Sequence, residues 1–506
     1  MRTPAPLLVV GDALLDRDVS GRAERLAPDA PVPVVDGAGH AVRPGGAALA
    51  ACLAATDGRE VTLVTTLGED PASESVRAML AGRVRVVALP LSGALSSKTR
   101  ILAGDRPLLR LDEGDGRAGG STREALREIA GAIAVLVADY GRGTADVLRE
   151  ALAEAAGRVS VVWDPHPRGQ APVPGVRVAT PSASEARAFA AGEAEPGGPL
   201  RSAARDAAAL VEAWRSTSVA VTLGGRGALL SYGGTPLMVP SPQHAQGDPC
   251  GAGDRFAATT AGLLADGELT EDAVRGAVHA ATRYVAEGGA RALAAGDHLA
   301  ASDDTAFGVR PAARGVSSGE PHRSASGGAL SWAEDDAVTF VDDPTGEALR
   351  VATAVRADGG TVVAAGGCFD LLHAGHVGLL QEARRCGDCL VVCVNSDASV
   401  RRRKGESRPL VPLADRIRVL RALECVDAVA VFDEDTPERL LAELRPHIWA
   451  KGGDYARSPM PEAELVAGWG GQTVLFPYLD GRSTTGIAER AALTPHALGV
   501  AGGDRR

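Results

Sequence analysis

The sequence predicts an α/β protein with two domains, in which strands alternate with helices in both halves of the chain. The first observation is size, since 506 residues with 45% hydrophobic content can fill more than one packed core. The second is a recurring order of a short apolar run, a polar string and a helical pattern. The third is residues 304–333, rich in Gly, Ser, Ala and Pro without apolar periodicity, which we interpret as a flexible linker. We therefore expect one domain over residues 1–303 and another over residues 334–506.

Composition and charge narrow the class of partner. The formal net charge is −11, which argues against nucleic acid or an anionic membrane as the main partner. The apolar start is short and is interrupted at Asp12, and no apolar run reaches membrane-spanning length, so we expect a cytoplasmic protein without a signal peptide. Cys386, Cys389 and Cys393 lie close together and could hold a metal. Because no second pair at finger spacing accompanies them, and Cys393 lies in the apolar run LVVCV, buried thiols are the favoured interpretation.

The first half shows the alternation most clearly. We predict strands at residues 7–10, 61–67, 135–138, 159–163, 176–179 and 219–223, with helices between them. This order is typical of a parallel sheet covered on both faces, which binds ligands beyond the carboxyl ends of its strands. Residues 97–112 are predicted to form two further strands around a turn at residues 104–105. Lys98, Arg100, Arg110 and Asp112 alternate along them, either as a functional face or as the solvated face of a hairpin.

Acidic residues and glycines follow the first strand. Asp12 and Asp16 lie just past its end, where carboxylates can hold sugar hydroxyls, although many such aspartates only cap turns. Residues 27–35 are broken by prolines and are expected to be extended. Gly45 and Gly46, in RPGGAA, would let a ligand lie against the backbone before an alanine-rich helix.

The string DPCGAGDRF at residues 248–256 carries a catalytic pattern. Gly251, Ala252 and Gly253 would present backbone N–H groups at the start of a helix and so form an anion hole for a transferring phosphoryl group. Asp254 could accept the proton of a substrate hydroxyl. The alternative is a glycine turn with a capping aspartate.

The second half is organised around GGCFDLLHAGHV at residues 366–377. It follows an apolar run at 362–365 and precedes a helical pattern, so His373 and His376 lie where a strand passes into a helix. Backbone N–H groups and the positive helix end favour phosphate there, and Gly375 allows close approach. The alternative is a pair of surface or core histidines.

Further elements of the second half follow in order. We predict strands at residues 390–394, 428–432, 448–451 and 473–476, and helices at 333–342, 347–358, 416–423 and 436–444, the last opening with an imperfect capping box at Thr436. The basic run RRRK at 401–404 either contacts a triphosphate or forms a solvated loop. Ser483, Thr484 and Thr485 open a final helix, a position that suits a phosphate.

These motifs together resemble one family. HAGH is followed by VNSD, KGESRP, PLADR, KGGDY and GRSTTGI, and the first half contains GDALLDR, APVPVV, RPGGAA, RLD, TPSASE and GAGD. The set is similar to that of the bifunctional heptose 7-phosphate kinases and heptose 1-phosphate adenylyltransferases. The resemblance implies a ribokinase-like α/β sandwich followed by a Rossmann-like nucleotidyltransferase with a parallel sheet.

The resemblance also implies two reactions of ADP-heptose biosynthesis. The first is ATP-dependent phosphorylation of D-glycero-β-D-manno-heptose 7-phosphate at O1, and the second is adenylyl transfer from ATP to heptose 1-phosphate. A separate phosphatase would remove the 7-phosphate between them. A homodimer and a requirement for Mg²⁺ are expected.

The same resemblance assigns roles to individual residues. Asp254 is the expected base of the kinase, Glu185 belongs to the pair that organises Mg²⁺, and His373, His376 and Lys451 are the expected catalytic residues of the second half. The sugar phosphate is assigned to Asp12, Asp16, Gly45, Gly46, Lys98 and Arg110. ATP is assigned to Phe369, Asp370, Gly375, Lys404, Arg416, Gly452, Asp454, Ser483, Thr484 and Thr485.

Two departures from the family pattern put the kinase in question. Leu49 stands where the family has Asn after RPGGAA, and Ser182 replaces the Asn of the TPN-x-x-E pattern. One alternative is therefore an active adenylyltransferase joined to a kinase-like binding or dimerisation module. Others are cytidylyl transfer to a polyol phosphate and a non-enzymatic sensor of sugar phosphates.

Overall fold

The structure is a computed structural model that describes residues 3–104, 106–191, 198–243, 245–290, 343–452 and 460–476. The linker predicted at 304–333 and the helix predicted at 333–342 lie outside these residues.

The first half contains fifteen described strands and nine described helices. The strands are β1 Leu7–Gly11, β2 Ala13–Leu26, β3 Pro33–Gly46, β4 Val61–Thr66, β5 Arg85–Leu89, β6 Leu91–Ser92, β7 Ser97–Ala103, β8 Arg106–Glu113, β9 Arg117–Ala118, β10 Ala134–Ala138, β11 Ser160–Asp164, β12 Val178–Ala179, β13 Val219–Thr222, β14 Ala228–Ser231 and β15 Leu237–Val239. The helices are α1 Ala47–Thr56, α2 Pro71–Leu80, α3 Arg123–Gly131, α4 Thr144–Val147, α5 Arg149–Ala156, α6 Ala183–Ala190, α7 Gly198–Trp214, α8 Ala252–Ala265 and α9 Thr270–Ala286.

The second half continues the same alternation. Its described strands are β16 Val362–Gly367, β17 Cys389–Asn395, β18 Ala428–Phe432, β19 Ile448–Gly452 and β20 Gln472–Phe476. Its described helices are α10 Pro344–Ala357, α11 Ala374–Arg385, α12 Asp397–Lys404, α13 Leu413–Arg421, α14 Glu438–Leu444 and α15 Pro461–Gly468. The predicted strands are confirmed to within one or two residues. The capping box predicted at Thr436 is wrong, because α14 begins after Pro437 and no side chain caps it.

The strands of the core form one sheet in the order β18-β17-β16-β19-β20-β15-β14-β13-β12-β11-β10-β1-β4-β5. Neighbours are parallel except at the β13–β14 and β14–β15 pairs. The central strands are buried along their whole length, as the burial of β1 and β10 shows. This burial explains why they appear in the sequence as continuous apolar runs.

The two halves meet at the pair of strands β15 and β20. Leu237 pairs with Leu475 in parallel register, and the Leu475 N–H donates to the Pro236 carbonyl at 3.0 Å. Met238 and Val474 belong to one buried cluster that draws on both halves. No pattern in the sequence predicted this junction, which turns two sheets into one.

A second, smaller sheet has the order β3-β2-β7-β8 and stands over one end of the first half. The hairpin predicted at residues 97–112 is confirmed as β7 and β8. The long strands β2 and β3 were not predicted as a pair, because much of their outer length is exposed and lacks an apolar alternation. We call this four-stranded unit the small sheet.

Two other findings bear on the expectations from composition. Among the residues described, no helix combines the length and apolarity needed to cross a membrane. All seven cysteines are described and none is in a disulfide. Cys393 is fully buried in β17, where burial raises the pKa of its thiol to about 12.

Candidate active sites

The turn before α8 forms the first site. Gly251 adopts a left-handed conformation with φ of 81° and precedes Ala252, the first residue of the helix. A Cβ at Gly251 would lie 2.6 Å from the Tyr284 hydroxyl oxygen and 2.8 Å from the Leu49 Cδ2, so only glycine fits. The open N–H groups of a first helical turn attract anions. Gly251, Ala252 and Gly253 form this turn, in which the Ala252 N–H donates to the Pro249 carbonyl at 3.0 Å.

Asp254 lies in the first turn of α8 and is almost completely buried. The Tyr140 hydroxyl donates a hydrogen bond of 2.8 Å to its Oδ1. Burial, followed by the charge of Asp16, raises the pKa of Asp254 to about 7, against the opposing effects of the Tyr140 hydrogen bond and Lys98. A carboxyl group with a pKa near neutrality is well suited to general-base catalysis.

The small sheet supplies Lys98 and Asp16 to this site. Lys98 Nζ lies 5.1 Å from the centroid of the Tyr140 ring, and burial lowers the pKa of Lys98 despite the charges of Asp16 and Asp254. Asp16 is buried, with Oδ2 3.5 Å from the Arg100 Nη1. Lys98 and Asp16 of the small sheet therefore lie near the catalytic turn.

Asp12 lies below the site, with its carboxylate hydrogen-bonded to backbone N–H groups. Its carboxylate accepts hydrogen bonds from the backbone N–H groups of Tyr140 at 3.0 Å, Arg142 at 2.8 Å and Thr144 at 3.1 Å. It therefore fixes the turn between β10 and α4, which is one of the two roles that the sequence allows for it. Gly46, with φ of 59°, lies so close that a Cβ would be 2.5 Å from the Asp12 carbonyl oxygen.

Gly45 and Arg110 are the two remaining residues predicted to contact the sugar phosphate. Gly45 lies against Asp16, since a Cβ there would be 3.0 Å from the Asp16 Cγ. Arg110 lies on β8 opposite Arg100, is exposed, and pairs with Asp112 at 2.8 Å. Both are attached to the small sheet rather than to the core.

The two departures from the family pattern have clear structural roles. Ser182 caps α6, where its Oγ accepts from the Glu185 N–H at 3.3 Å and Glu185 Oε2 accepts from the Ser182 N–H at 2.8 Å. Glu185, the predicted metal ligand, therefore has one oxygen engaged in a capping box. Leu49 is buried in α1 and packs against the Gly251 turn.

Sequence reasoning missed several residues of this site. Tyr140 was not predicted, although it lies two residues past the strand predicted at 135–138. Cys250 Sγ lies 3.2 Å from the Arg100 Nη2, and Arg43 is fully buried between Asp16 and Asp18. Their position at strand ends or in the catalytic turn was the only available signal.

The second site lies at the carboxyl end of β16. His373 is the N-cap residue of α11, and its Nδ1 accepts from the Gly375 N–H at 3.2 Å. The rings of His373 and His376 stack with centroids 3.9 Å apart. Phe369 lies edge-on to His376 at 5.3 Å and has a φ of 45°, an uncommon conformation for a residue with a Cβ.

The charge state of His376 follows from this packing. Burial, followed by the proximity of His373, lowers the pKa of His376 to about 4. The imidazole is therefore neutral near pH 7 and can donate one N–H without carrying a charge.

A cavity of about 310 Å³ lies beside the histidine pair. Lys404 and Lys451 line it, whereas His373 and His376 are outside its lining, on the helix side of the same strand end. The described lining residues are Gly366, Gly367, Cys368, Asn395, Val400, Arg403, Lys404, Phe432, Thr436, Pro437, Trp449, Lys451 and Glu462. The volume is at the lower end of the range for small-molecule pockets.

Asp370 and Arg416, both predicted to bind ATP, are buried in protein contacts. Asp370 Oδ1 accepts from the backbone N–H groups of Leu410 at 2.7 Å and Val411 at 2.9 Å. Arg416 donates to the Cys368 carbonyl at 2.7 Å and to Val411 at 3.1 Å. The two side chains thus hold the loop after α12 against the HAGH turn.

Five residues predicted to bind ATP remain, namely Gly452, Asp454, Ser483, Thr484 and Thr485. Gly452 ends β19 directly after Lys451. Asp454, Ser483, Thr484 and Thr485 lie outside the described residues.

Comparisons with known proteins find a family model for each half of the chain. The family model described as pfkB family carbohydrate kinase matches residues 124–295, and the model described as Cytidylyltransferase-like matches residues 364–473. Among solved structures, the ribokinase of Arabidopsis thaliana is 21% identical, with 56% of this chain and 93% of that chain covered and a TM-score of 0.43.

Curated relatives cover nearly the whole chain. The bifunctional protein HldE of Streptomyces coelicolor is 60% identical over 490 residues, covering 96% of both chains. The bifunctional protein HldE of Pelobacter propionicus is 34% identical over 501 residues, again with 96% of both chains covered.

The fold and the two sites define a carbohydrate kinase joined to a nucleotidyltransferase in one chain. At these identities and coverages, the chain belongs to the family of bifunctional HldE proteins. It is a bifunctional enzyme of ADP-heptose biosynthesis, with sugar-phosphate kinase and adenylyltransferase activities.

Proposed function

We propose that the kinase half phosphorylates D-glycero-β-D-manno-heptose 7-phosphate at O1 and that Asp254 is its general base. The observation that carries this proposal is the burial of Asp254 in the first turn of α8, with a pKa of about 7. Asp254 takes the proton of the anomeric hydroxyl as O1 attacks the γ-phosphorus of ATP. The bond from the γ-phosphorus to the bridging oxygen breaks, and ADP leaves.

The backbone N–H groups of Gly251 and Gly253, and that of Ala252 once it leaves the Pro249 carbonyl, stabilise the charge that develops on the phosphoryl oxygens. Catalysis of phosphoryl transfer consists mainly of positioning and charge stabilisation, which a preorganised helix start supplies. Leu49 supports this assignment because it packs on Gly251 and so holds the turn in place. The replacement of Asn by Leu49 therefore leaves the anion hole intact.

The sugar phosphate binds between the small sheet and the core. Lys98 and Asp16 face Asp254, Gly45 allows Asp16 its position, and Arg110 lies further along β8. Asp12 and Gly46 contribute by shaping the floor of the site. Positive side chains suit the phosphate and carboxylates suit the hydroxyls.

The proposal includes Mg²⁺ in the kinase half. Mg²⁺ is normally held by one or two carboxylates together with water and substrate phosphates. Glu185 supplies one such carboxylate, because the capping box engages only its Oε2. Glu185 would hold the ion through the oxygen that the capping box leaves free. The ion would neutralise charge on the ATP phosphates.

In the second half, a phosphate oxygen of heptose 1-phosphate attacks the α-phosphorus of ATP. The bond to the bridging oxygen between the α- and β-phosphorus breaks, and pyrophosphate leaves. His373 and His376 donate hydrogen bonds to the phosphates, and Lys404 and Lys451 stabilise their charge. Asp370 and Arg416 act on ATP through the loop that they hold. The other ATP-binding residues in this proposal are Phe369, Gly375, Lys404, Gly452, Asp454, Ser483, Thr484 and Thr485.

Three further features belong to the proposal. A separate phosphatase acts between the two steps, because the kinase product carries two phosphates and the adenylyl acceptor carries one. A homodimer forms through the small sheet, supported by the exposure of Leu108, Leu109 and Leu111 on β8. The enzyme is cytoplasmic, supported by its seven free cysteines.

The test is a phosphorus NMR time course with the full chain, Mg-ATP and the heptose 7-phosphate, with a heptose bisphosphate phosphatase added midway. We expect a 1,7-bisphosphate first, then ADP-heptose and pyrophosphate. Absence of the bisphosphate, with heptose 1-phosphate still converted, would leave only the adenylyltransferase active. A parallel run with CTP decides the preference for the nucleotide base.

A further inference from the structure

Tyr140 links the floor of the kinase site to its base. Its backbone N–H donates to Asp12 Oδ2 at 3.0 Å, and its hydroxyl donates to Asp254 Oδ1 at 2.8 Å. Lys98 Nζ lies over its ring, 5.1 Å from the centroid, and the His166 ring lies 5.9 Å away on another side. The tyrosine is therefore held at its backbone and around its ring, so its hydroxyl has a defined direction.

We propose that Tyr140 is a positioning residue of the kinase: its hydroxyl holds Oδ1 of Asp254 and leaves Oδ2 to accept the proton of the sugar hydroxyl. The proposal rests on the role of Asp254 as base. When a strong donor fixes one oxygen of a carboxylate, the other oxygen is held in one orientation. The reactive geometry is then populated more often.

The surroundings of Asp254 determine what the hydrogen bond does to its proton affinity. Asp16 from the small sheet and Asp164 at the end of β11 disfavour its charged form, and Lys98 favours it. Tyr284 of α9 is the other titratable group that interacts with it, and burial raises the pKa of Tyr284 above its ordinary value. Against a buried and partly acidic setting, the Tyr140 hydrogen bond stabilises the carboxylate and lowers the pKa of Asp254.

The experiment measures kcat/KM of the kinase against pH for the full chain and for Tyr140→Phe. The acidic limb reports the base, so we expect it to move up by about one pH unit in the variant, since one hydrogen bond to a charged group contributes about that much. At pH 6 the kcat/KM of Tyr140→Phe should be about tenfold lower than that of the unchanged chain, and this difference should decrease as the pH rises. An unmoved limb with an equal loss at every pH overturns the proposal.

A matched control is Tyr232→Phe, because the Tyr232 hydroxyl also donates to a carboxylate, Glu271 Oε1 at 2.6 Å, at an exposed place. The acidic limb of the kcat/KM profile of Tyr232→Phe should coincide with that of the unchanged chain. Kinase activity at about pH 9, where the base is deprotonated in every variant, reports whether the kinase half of each variant is folded.

A second measurement does not remove any side chain. Replacing all five tyrosines by 3-fluorotyrosine makes the phenol a stronger donor, so the acidic limb should move down. The same labelling in Tyr140→Phe should leave the limb of that variant in place. If labelling moves both limbs equally or neither, Tyr140 does not set the proton affinity of the base.

Asp254→Asn separates this proposal from the one on which it rests. We expect it to lose the kinase activity by at least about 100-fold. If it retains activity, the assignment of Asp254 fails. If it loses activity while the limb of Tyr140→Phe stays unmoved, the base stands and only the role of Tyr140 is overturned.

Discussion

Lys451 donates a hydrogen bond of 2.7 Å to Glu462 Oε1, and both side chains line the cavity beside the HAGH turn. Glu462 comes from α15 and is largely buried, whereas Lys451 lies at the end of β19. The carboxylate thus fixes a lysine that would otherwise have free rotation. It also competes with the phosphates for the lysine charge.

This pair predicts different effects for its two members. Lys451→Ala should lower kcat of adenylyl transfer about 100-fold, since it removes a charge that stabilises the phosphates. Glu462→Gln should keep most of kcat and change KM for ATP, because the lysine remains but is less firmly placed. Steady-state kinetics with heptose 1-phosphate measures both, with kinase activity as the control for folding. Equal loss of kcat in the two variants contradicts this division of roles.

Cys368 is a reactive side chain through which the same cavity can be tested. Its Sγ lies 3.3 Å from Lys404 Nζ, and both residues line the cavity. Alkylation of Cys368 with N-ethylmaleimide should therefore lower the rate of adenylyl transfer by more than about tenfold. Bound ATP should protect Cys368 against alkylation. Cys368→Ala should remain active after treatment.

The kinase half provides the control for that experiment. Cys250 lies in the kinase site beside Arg100, so alkylation is expected to reduce kinase activity in both the unchanged chain and Cys368→Ala. Adenylyl transfer that is lost equally in the two proteins would show that another cysteine is responsible.

How far the sequence could predict this structure depends on how local each feature is. The HAGH turn is a strand, a turn and a helix in sequence order, so its position and the closeness of His373 and His376 followed from the pattern. The GAGD turn is local in the same way. The glycine at 251 is needed because Tyr284 and Leu49 leave no room for a Cβ, a contact that only the fold reveals.

Features made by distant segments could not be predicted in this way. Asp370 and Arg416 belong to motifs that suggested ATP contacts, yet they hold a loop, since their partners come from up to 48 residues away in the chain. For Asp12 the sequence allows both a sugar-binding and a turn-capping role. The backbone donors of the turn at 140–144, which support the capping role, come from a distant segment. The pairing of β15 with β20 depends on two edge strands with no pattern in common.

Asp12 predicts a measurable loss of stability. Asp12→Ala leaves one buried and two partly buried backbone N–H groups without their acceptor, which should cost about 3 kcal/mol. Asp36→Ala is the matched control, because Asp36 forms only an exposed pair with Arg25 at 3.1 Å and should cost less than about 1 kcal/mol. Denaturant unfolding followed through kinase activity measures both. A normal stability with a raised KM for the sugar would instead make Asp12 a direct ligand.

The two activities should respond differently to pH. The kinase needs Asp254 deprotonated, and its pKa is raised to about 7, so activity should rise with pH and fall about tenfold from plateau to pH 6. His376 has a pKa lowered to about 4 and stays neutral over this range, so it should contribute no limb to adenylyl transfer. Rates of both reactions from one preparation between pH 5.5 and 9 provide the comparison. A kinase profile that is flat down to pH 5.5 would contradict the role of a perturbed carboxyl group.

The junction between the halves can be tested at a single N–H group. Leu475 donates to the Pro236 carbonyl at 3.0 Å, and this side of β20 would be a free edge if the halves were separate. Proline is tolerated on a free edge but removes a needed donor from a paired strand. Leu475→Pro should therefore uncouple the halves, whereas Leu475→Ala, which keeps the N–H, should not.

Differential scanning calorimetry of the full chain distinguishes these states. We expect one main transition for the unchanged chain and for Leu475→Ala, because the halves share a sheet and a buried cluster. Leu475→Pro should show two transitions, with both activities retained below the first. Two transitions already present in the unchanged chain would mean that the pairing of Leu237 with Leu475 does not couple the kinase and the adenylyltransferase.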